Sequence, residues 1–244
     1  MSKNLNGSPL PPLRRPRYGV DAPAVPAVNG AAGVVCCLAA ARWRRGRIAT
    51  AAAGTVLLAF TGVYLHTTLR GKRRVWEREL DRAGLKGNEQ LLDLGCGRGA
   101  VLVEAARRLP AGRAVGADLW SGRDQSGNSP EATLANAAAA GVADRVEVHT
   151  ADMTALPFAD GSFDVVTSAL AIHNIPSPEG RFRAVDEAMR VLRPGGQLLI
   201  ADPWSMARKY AAHIGQGTLR GLGPGYWYGG PWFGVTLLHA VKER

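Results

Sequence analysis

Residues Leu91 to Gly99 read Leu-Leu-Asp-Leu-Gly-Cys-Gly-Arg-Gly. An apolar run that ends in an acid and then alternates glycines predicts a strand turning sharply into a helix, where absent Cβ atoms let a ligand lie against bare backbone. Gly95, Gly97 and Ala100 also satisfy the dinucleotide pattern G-x-G-x-x-G/A, and Asp118 follows about twenty residues on, where an acid binds ribose hydroxyls. Asp93 argues against a dinucleotide. A carboxylate at the strand end suits a ligand carrying an ammonium and opposes a pyrophosphate. Cys96 reads as a small buried residue, and Cys36 and Cys37 lie in an apolar stretch, so neither a disulfide framework nor a metal site is spelled out by spacing.

The elements that must carry this turn alternate in type. Strands are expected at Gln90–Leu94, Arg113–Asp118, Val146–His149, Phe163–Ser168 and Gly196–Ala201. Helices are expected from about Gly99 to Leu109, from Ser129-Pro130-Glu131 to Gly141, and from Ser177-Pro178-Glu179, where Ser is the N-cap and Pro takes the first helical position. Runs such as Asp164-Val165-Val166-Thr167-Ser168 are apolar on both faces, which predicts a parallel sheet covered by helices. A short helix near Met206–Ile214 and two strand-like runs, Thr218–Tyr228 and Trp232–Lys242, close the chain in a hairpin with an antiparallel edge.

With the order of elements in place, Leu85 to Asp202 resembles the class I S-adenosylmethionine-dependent methyltransferases, in particular their UbiE-like branch. LLDLGCGRG resembles the first motif, VGADLW the acidic end of the second strand, ADMTALPFADGSFDVV the third and fourth strands, and RVLRPGGQLLIAD the fifth. The resemblance implies a doubly wound, mostly parallel, seven-stranded α/β sheet. It implies S-adenosylmethionine as cofactor, with Gly95, Cys96, Gly97 and Gly99 around its methionine part and Asp93 near its amino group. Asp118 with Leu119 would meet the ribose, Asp152 with Met153 the adenine, and Ser168 to Leu170 would pass beside the methionine end. His173 follows the fourth strand where the family places residues facing the acceptor. It would either take a proton from the acceptor or serve as a structural histidine. Trp204, Tyr226, Trp227, Tyr228 and Trp232 would floor an apolar acceptor pocket or fill the core. Trp120 to Asn128 lengthens the family's loop after Asp118, and reads either as part of a lid or acceptor pocket or as a solvated loop with Trp120 packed inward.

Charge is distributed unevenly. Residues 1–77 hold 12 Lys and Arg against 2 acids, and the remaining residues hold 18 of each, so the whole excess of +10 is N-terminal. A neutral catalytic region argues against nucleic acid as partner. Ile48–Leu69 carries no formal charge over 22 residues, about 33 Å as a helix and enough to cross a bilayer. Residues 22–41 form a second apolar stretch. Pro23 and Pro26 shorten its expected helix to Ala27–Ala41, which would span beside its partner or dip in. Residues 1–21 read as a disordered basic tail, 22–71 as a membrane anchor and 72–244 as the catalytic domain. The expected location is the membrane, with the catalytic domain facing the cytoplasm and a small or lipophilic acceptor such as a quinone or lipid.

Overall fold

A computed structural model describes residues 16–243. Lys3, Arg14, Arg15 and the expected disorder of residues 1–15 lie outside them.

Seven strands form one sheet in the order β3-β2-β1-β4-β5-β7-β6. These are β1 Gln90–Leu94, β2 Arg113–Asp118, β3 Val146–Thr150, β4 Phe163–Ala169, β5 Leu192–Pro203, β6 Thr218–Gly221 and β7 Val235–Val241. The first five pair in parallel, and β7 lies antiparallel between β5 and the edge strand β6. The C-terminal strands are shorter than their apolar runs suggest. Leu222 to Gly234, rich in Gly and aromatics, is a long loop between them that folds over the sheet's carboxyl end.

The sheet is buried on both faces because alternate strand residues feed two cores. Leu91 packs with Trp76, Leu80 and Leu102, and Leu92 and Leu94 pack with Val185, Val191 and Leu198. The helices that supply these partners are α3 Lys72–Ala83 and α4 Ala100–Ala106 on one face, and α6 Pro178–Val191 and α7 Trp204–Ile214 on the other; α5 Pro130–Ala139 packs beside β3. Ser129 and Ser177 cap α5 and α6 by accepting from Ala132 N and Gly180 N. Trp76 is fully buried and donates through Nε1 to Tyr226 OH at 2.9 Å. Trp76→Ala is expected to lower unfolding stability by about 3–5 kcal/mol, since it opens a cavity and strands a buried hydroxyl. Chemical denaturation of the full chain checks it, and a loss under about 1 kcal/mol would contradict this packing account.

Two apolar helices project from this domain as a hairpin, α1 Ala24–Arg42 and α2 Arg47–His66, both long and apolar enough to cross a membrane. The start of α1 differs from the expectation. Pro23 sits at the N-cap and Pro26 in the first turn, where backbone N–H groups lack intrahelical partners anyway, so the helix keeps 19 residues, about 28 Å. The helices cross closely at Gly33 and Gly54, where a Cβ on Gly54 would fall 2.9 Å from Gly33 O and 2.6 Å from Cys37 Sγ. Val28, Val35, Leu38, Ile48 and Val56 stay exposed along the hairpin. A π-helical turn, Thr67–Gly71, joins α2 directly to α3.

Residues 16–21, expected to be disordered, run instead as an extended strap across the domain. Arg17 exchanges hydrogen bonds with Asn136, at 2.8 and 3.0 Å. Val20 pairs with Ser126 through both its N–H and its carbonyl, and Tyr18 packs on the core. Composition suggested disorder because these partners lie more than 100 residues away.

Candidate functional site

The carboxyl ends of the parallel strands open into a chamber of about 420 Å³. Its floor is the β1–α4 turn. Gly95 and Gly97 adopt left-handed φ of 67° and 52°. Their first constraint is the protein itself, since a Cβ would fall 2.1 Å from Ala171 Cβ at Gly95 and 2.4 Å from Gln125 Oε1 at Gly97.

Three acids face this turn in different states. Asp93 is buried, and Oδ1 accepts from Thr167 Oγ1 at 2.8 Å, while Oδ2 has no partner. Burial pushes its carboxyl up to about 7, with the Thr167 hydrogen bond pulling down and the Asp118 charge pushing up. Asp118 accepts from Gly97 N at 2.8 Å, Trp120 N at 2.5 Å and Asn128 Nδ2 at 3.2 Å, which pins the second strand end to the glycine turn. Asp152 folds back on Thr154, accepting from its N–H and hydroxyl at 2.8 Å each.

Of the residues singled out by sequence, Asp93, Gly95, Cys96, Gly97, Asp118, Leu119, Asp152 and Met153 line this chamber together. The Cys96 thiol packs toward Gly116, and burial drives its acidity well below that of an ordinary thiol. Two of the expected residues stand off this lining. Gly99 stands outside the lining, at the N-cap of α4, with φ 81° and Thr133 where a Cβ would be. Ser168 is buried within the sheet and donates to Leu94 O at 3.1 Å. Strand parity decides this, because its neighbour Thr167 is the residue that meets Asp93.

His173 lines a second chamber of about 290 Å³ together with Val25, Phe60, Tyr64, Tyr228, Trp232 and Phe233. Asp21, Asp124, Leu170 and Asn174 belong to both chambers and form the partition. Leu170 holds φ 55°, a costly conformation for a branched residue, which its N–H hydrogen bond to Ala201 O at 2.8 Å helps to fix. Asp202, fully buried at the end of β5, accepts from His173 Nδ1 at 2.8 Å and from the His173 backbone N–H at 3.2 Å. A carboxylate partner at this distance makes Nδ1 the ring nitrogen that donates, and leaves Nε2 free of Asp202.

The family model described as a methyltransferase domain matches residues 92–200, the span that holds the glycine turn, the three acids and His173. This is a class I S-adenosylmethionine-dependent methyltransferase domain. It is 35% identical over 133 residues to a ubiquinone/menaquinone biosynthesis C-methyltransferase UbiE of Roseobacter denitrificans, covering 54% of this chain and 50% of that protein. It is 36% identical over 129 residues to the 27-O-demethylrifamycin SV methyltransferase of Amycolatopsis mediterranei, covering 53% and 44%. The chain thus spans about half the length of the curated relatives it matches. In fold it resembles the YcgJ protein of Bacillus subtilis, with a TM-score of 0.54 at 15% identity over 70% of this chain and 99% of that one.

The methyltransferase chamber fits the family's cofactor. The orphaned, buried Asp93 Oδ2 needs a donor, which an amino-acid ammonium provides. Sequence reasoning misses Asp202, although it lies near the end of a buried strand as Asp93 and Asp118 do. Asp21, Lys72 and Gln125 were also missed, and no local pattern marks them. The side chains of the Trp120 to Asn128 loop divide. Trp120 packs against the core, while Ser121, Asp124, Gln125 and Asn128 line the methyltransferase chamber. The aromatics divide as well. Tyr226 is core, Tyr228 and Trp232 line the second chamber, and Trp204 is exposed beneath Arg208.

Proposed function

We propose that the chain is a membrane-anchored methyltransferase that passes a methyl group to a small lipophilic acceptor, a quinone-type ring or another lipid. The observation that carries this reading is the second chamber. It adjoins the cofactor chamber across one partition and is walled by Val25, Phe60 and Tyr64 of the apolar hairpin, so an acceptor would arrive from between those helices. The likeness to the quinone-biosynthesis enzyme supports the same acceptor class. Arg42, Arg44, Arg45 and Arg47 at one end of α2, and Arg70, Lys72, Arg73 and Arg74 at the other, bracket an uncharged length suited to a bilayer. In the arrangement proposed here the catalytic domain faces the cytoplasm.

S-adenosylmethionine, when bound, supplies a methyl group already activated on a sulfonium. Asp93 would hold its ammonium and Asp118, with Leu119 beside it, its ribose hydroxyls, while Asp152 and Met153 would meet the adenine. His173, fixed by Asp202, would take a proton at Nε2 from the acceptor's hydroxyl or acidic carbon as the new bond to carbon forms. The residues that line both chambers would set the two reactants in line where the chambers meet, and positioning of this kind is worth about 7–11 kcal/mol.

The full chain in detergent is expected to gain about 2.7 kcal/mol at a hundredfold excess of S-adenosylhomocysteine over its dissociation constant, raising the unfolding midpoint by roughly 5–10 °C. Label from the cofactor's methyl group should then enter the organic phase of a membrane extract. A midpoint that responds to NAD alone, or label confined to water-soluble products, would contradict the reading.

A further inference from the structure

Asp21 is the point at which the segment preceding the hairpin reaches both chambers. All of its polar groups are engaged. The carboxylate lies 2.7 and 2.8 Å from Lys72 Nζ, and accepts from Tyr228 OH at 2.6 Å and Gln125 Nε2 at 2.9 Å. Its N–H donates to Thr68 Oγ1 at 2.9 Å, and its carbonyl accepts from Tyr64 OH at 3.0 Å. These partners come from α2, the π-turn, α3, the loop after Asp118 and the loop before β7. Tyr228 and Tyr64, both lining the acceptor chamber, stand edge to face with centroids 5.0 Å apart. Ala22, next in the chain, holds φ 38° and donates its N–H to Asp124 O at 2.8 Å, so the turn into α1 is fixed as well.

We propose that Asp21 is a positioning residue for methyl transfer, and hence that the apolar hairpin is a working wall of the active site as well as an anchor. The proposal rests on the methyltransferase reading above. A lone carboxylate here would favour the sulfonium of the ground state over a transition state in which that charge is being lost. Lys72 cancels the carboxylate's charge, which leaves geometry as its contribution. Asp21 holds Tyr228 against Tyr64 on the acceptor side and Gln125 against the glycine turn on the cofactor side. Misplacement of reactants by about 1 Å costs roughly 100-fold in rate. Burial pushes the Asp21 carboxyl up, but the Lys72 ammonium and the Tyr228 and Gln125 donors hold it below the usual carboxylate range, so it stays ionised through neutral pH.

The test uses the full chain in nanodiscs of phosphatidylcholine and phosphatidylglycerol, with a prenylated 1,4-benzoquinol as acceptor probe. Asp21→Asn is compared with the double variant Asp21→Ala, Lys72→Met, which leaves no buried cation unpaired. Calorimetry reads S-adenosylhomocysteine affinity, and initial rates separate kcat from KM. Both variants are expected to lose about 30- to 100-fold in kcat, with acceptor KM and S-adenosylhomocysteine affinity within about threefold of wild type. A double variant with wild-type kcat would reduce Asp21 to the counter-ion of Lys72 and overturn the proposal. So would one that loses kcat, cofactor affinity and thermal stability together, the signature of a purely structural pin. If the wild-type chain itself binds S-adenosylhomocysteine but methylates no probe, the acceptor reading falls and this proposal falls with it. Equal kcat in wild type and double variant removes this proposal alone.

Discussion

Asp93→Asn is expected to weaken S-adenosylhomocysteine binding roughly 100- to 1,000-fold, because in the proposed reading it removes the buried carboxylate that would meet the ligand's ammonium. The same substitution should abolish a pH dependence that the wild-type chain shows. Burial raises the Asp93 carboxyl to about 7 in the folded chain, from an ordinary 3.8. Between those values the folded chain binds more protons than the unfolded one, so this group's contribution to stability falls as pH rises through that window. An ammonium ligand selects the ionised carboxylate. Affinity should therefore rise by up to about tenfold per pH unit below about pH 7 and level off above it, with proton release on binding near about pH 6. Calorimetry in two buffers of different ionisation enthalpy measures both. Wild-type affinity that is flat from about pH 5.5 to about pH 8, or equal affinity in the Asn variant, would show that Asp93 does not meet the ammonium.

His173→Ala is expected to lower kcat by about 100- to 10,000-fold, the usual worth of a positioned general base. Cofactor affinity should stay within about threefold, since His173 lines the second chamber and not the one that holds Asp93 and Asp118. Asp202→Asn should reproduce much of the fall. Its amide can donate to Nδ1 where the carboxylate only accepts, which shifts the ring proton to Nε2 and removes the base. Steady-state rates with the benzoquinol probe and calorimetry with S-adenosylhomocysteine separate the two effects. A loss of less than about threefold in kcat for His173→Ala would return the residue to a structural role.

What could be read in advance was whatever depends on near neighbours in the chain. Ser129-Pro130 and Ser177-Pro178 start helices because cap and first turn are local, and the strand edges at Gln90, Arg113 and Phe163 follow from apolar runs and the turns that bound them. The start of α1 was misplaced at Ala27 because a first-turn proline breaks nothing, although the same residue inside a helix would. Ser168 stands off the chamber lining because a strand's period of two sends neighbouring side chains to opposite faces. The register of β4 on β1 sets Thr167 opposite Asp93 and Ser168 opposite Leu94. That register is a fact of the assembled sheet.

The sequence by itself determined the alternating α/β order, the glycine turn, the acids that end β1 and β2, and the two apolar helices, since each is carried by contiguous residues whose backbone preferences and spacing need no distant partner. The tertiary structure alone decided the partition between the chambers. Asp21 meets Lys72, Gln125 and Tyr228 across 51, 104 and 207 residues of chain. His173 finds Asp202 across 29. Such contacts arise only once strand register, helix packing and loop closure bring several elements to one end of the sheet, and a buried carboxylate then settles where donors from those elements converge.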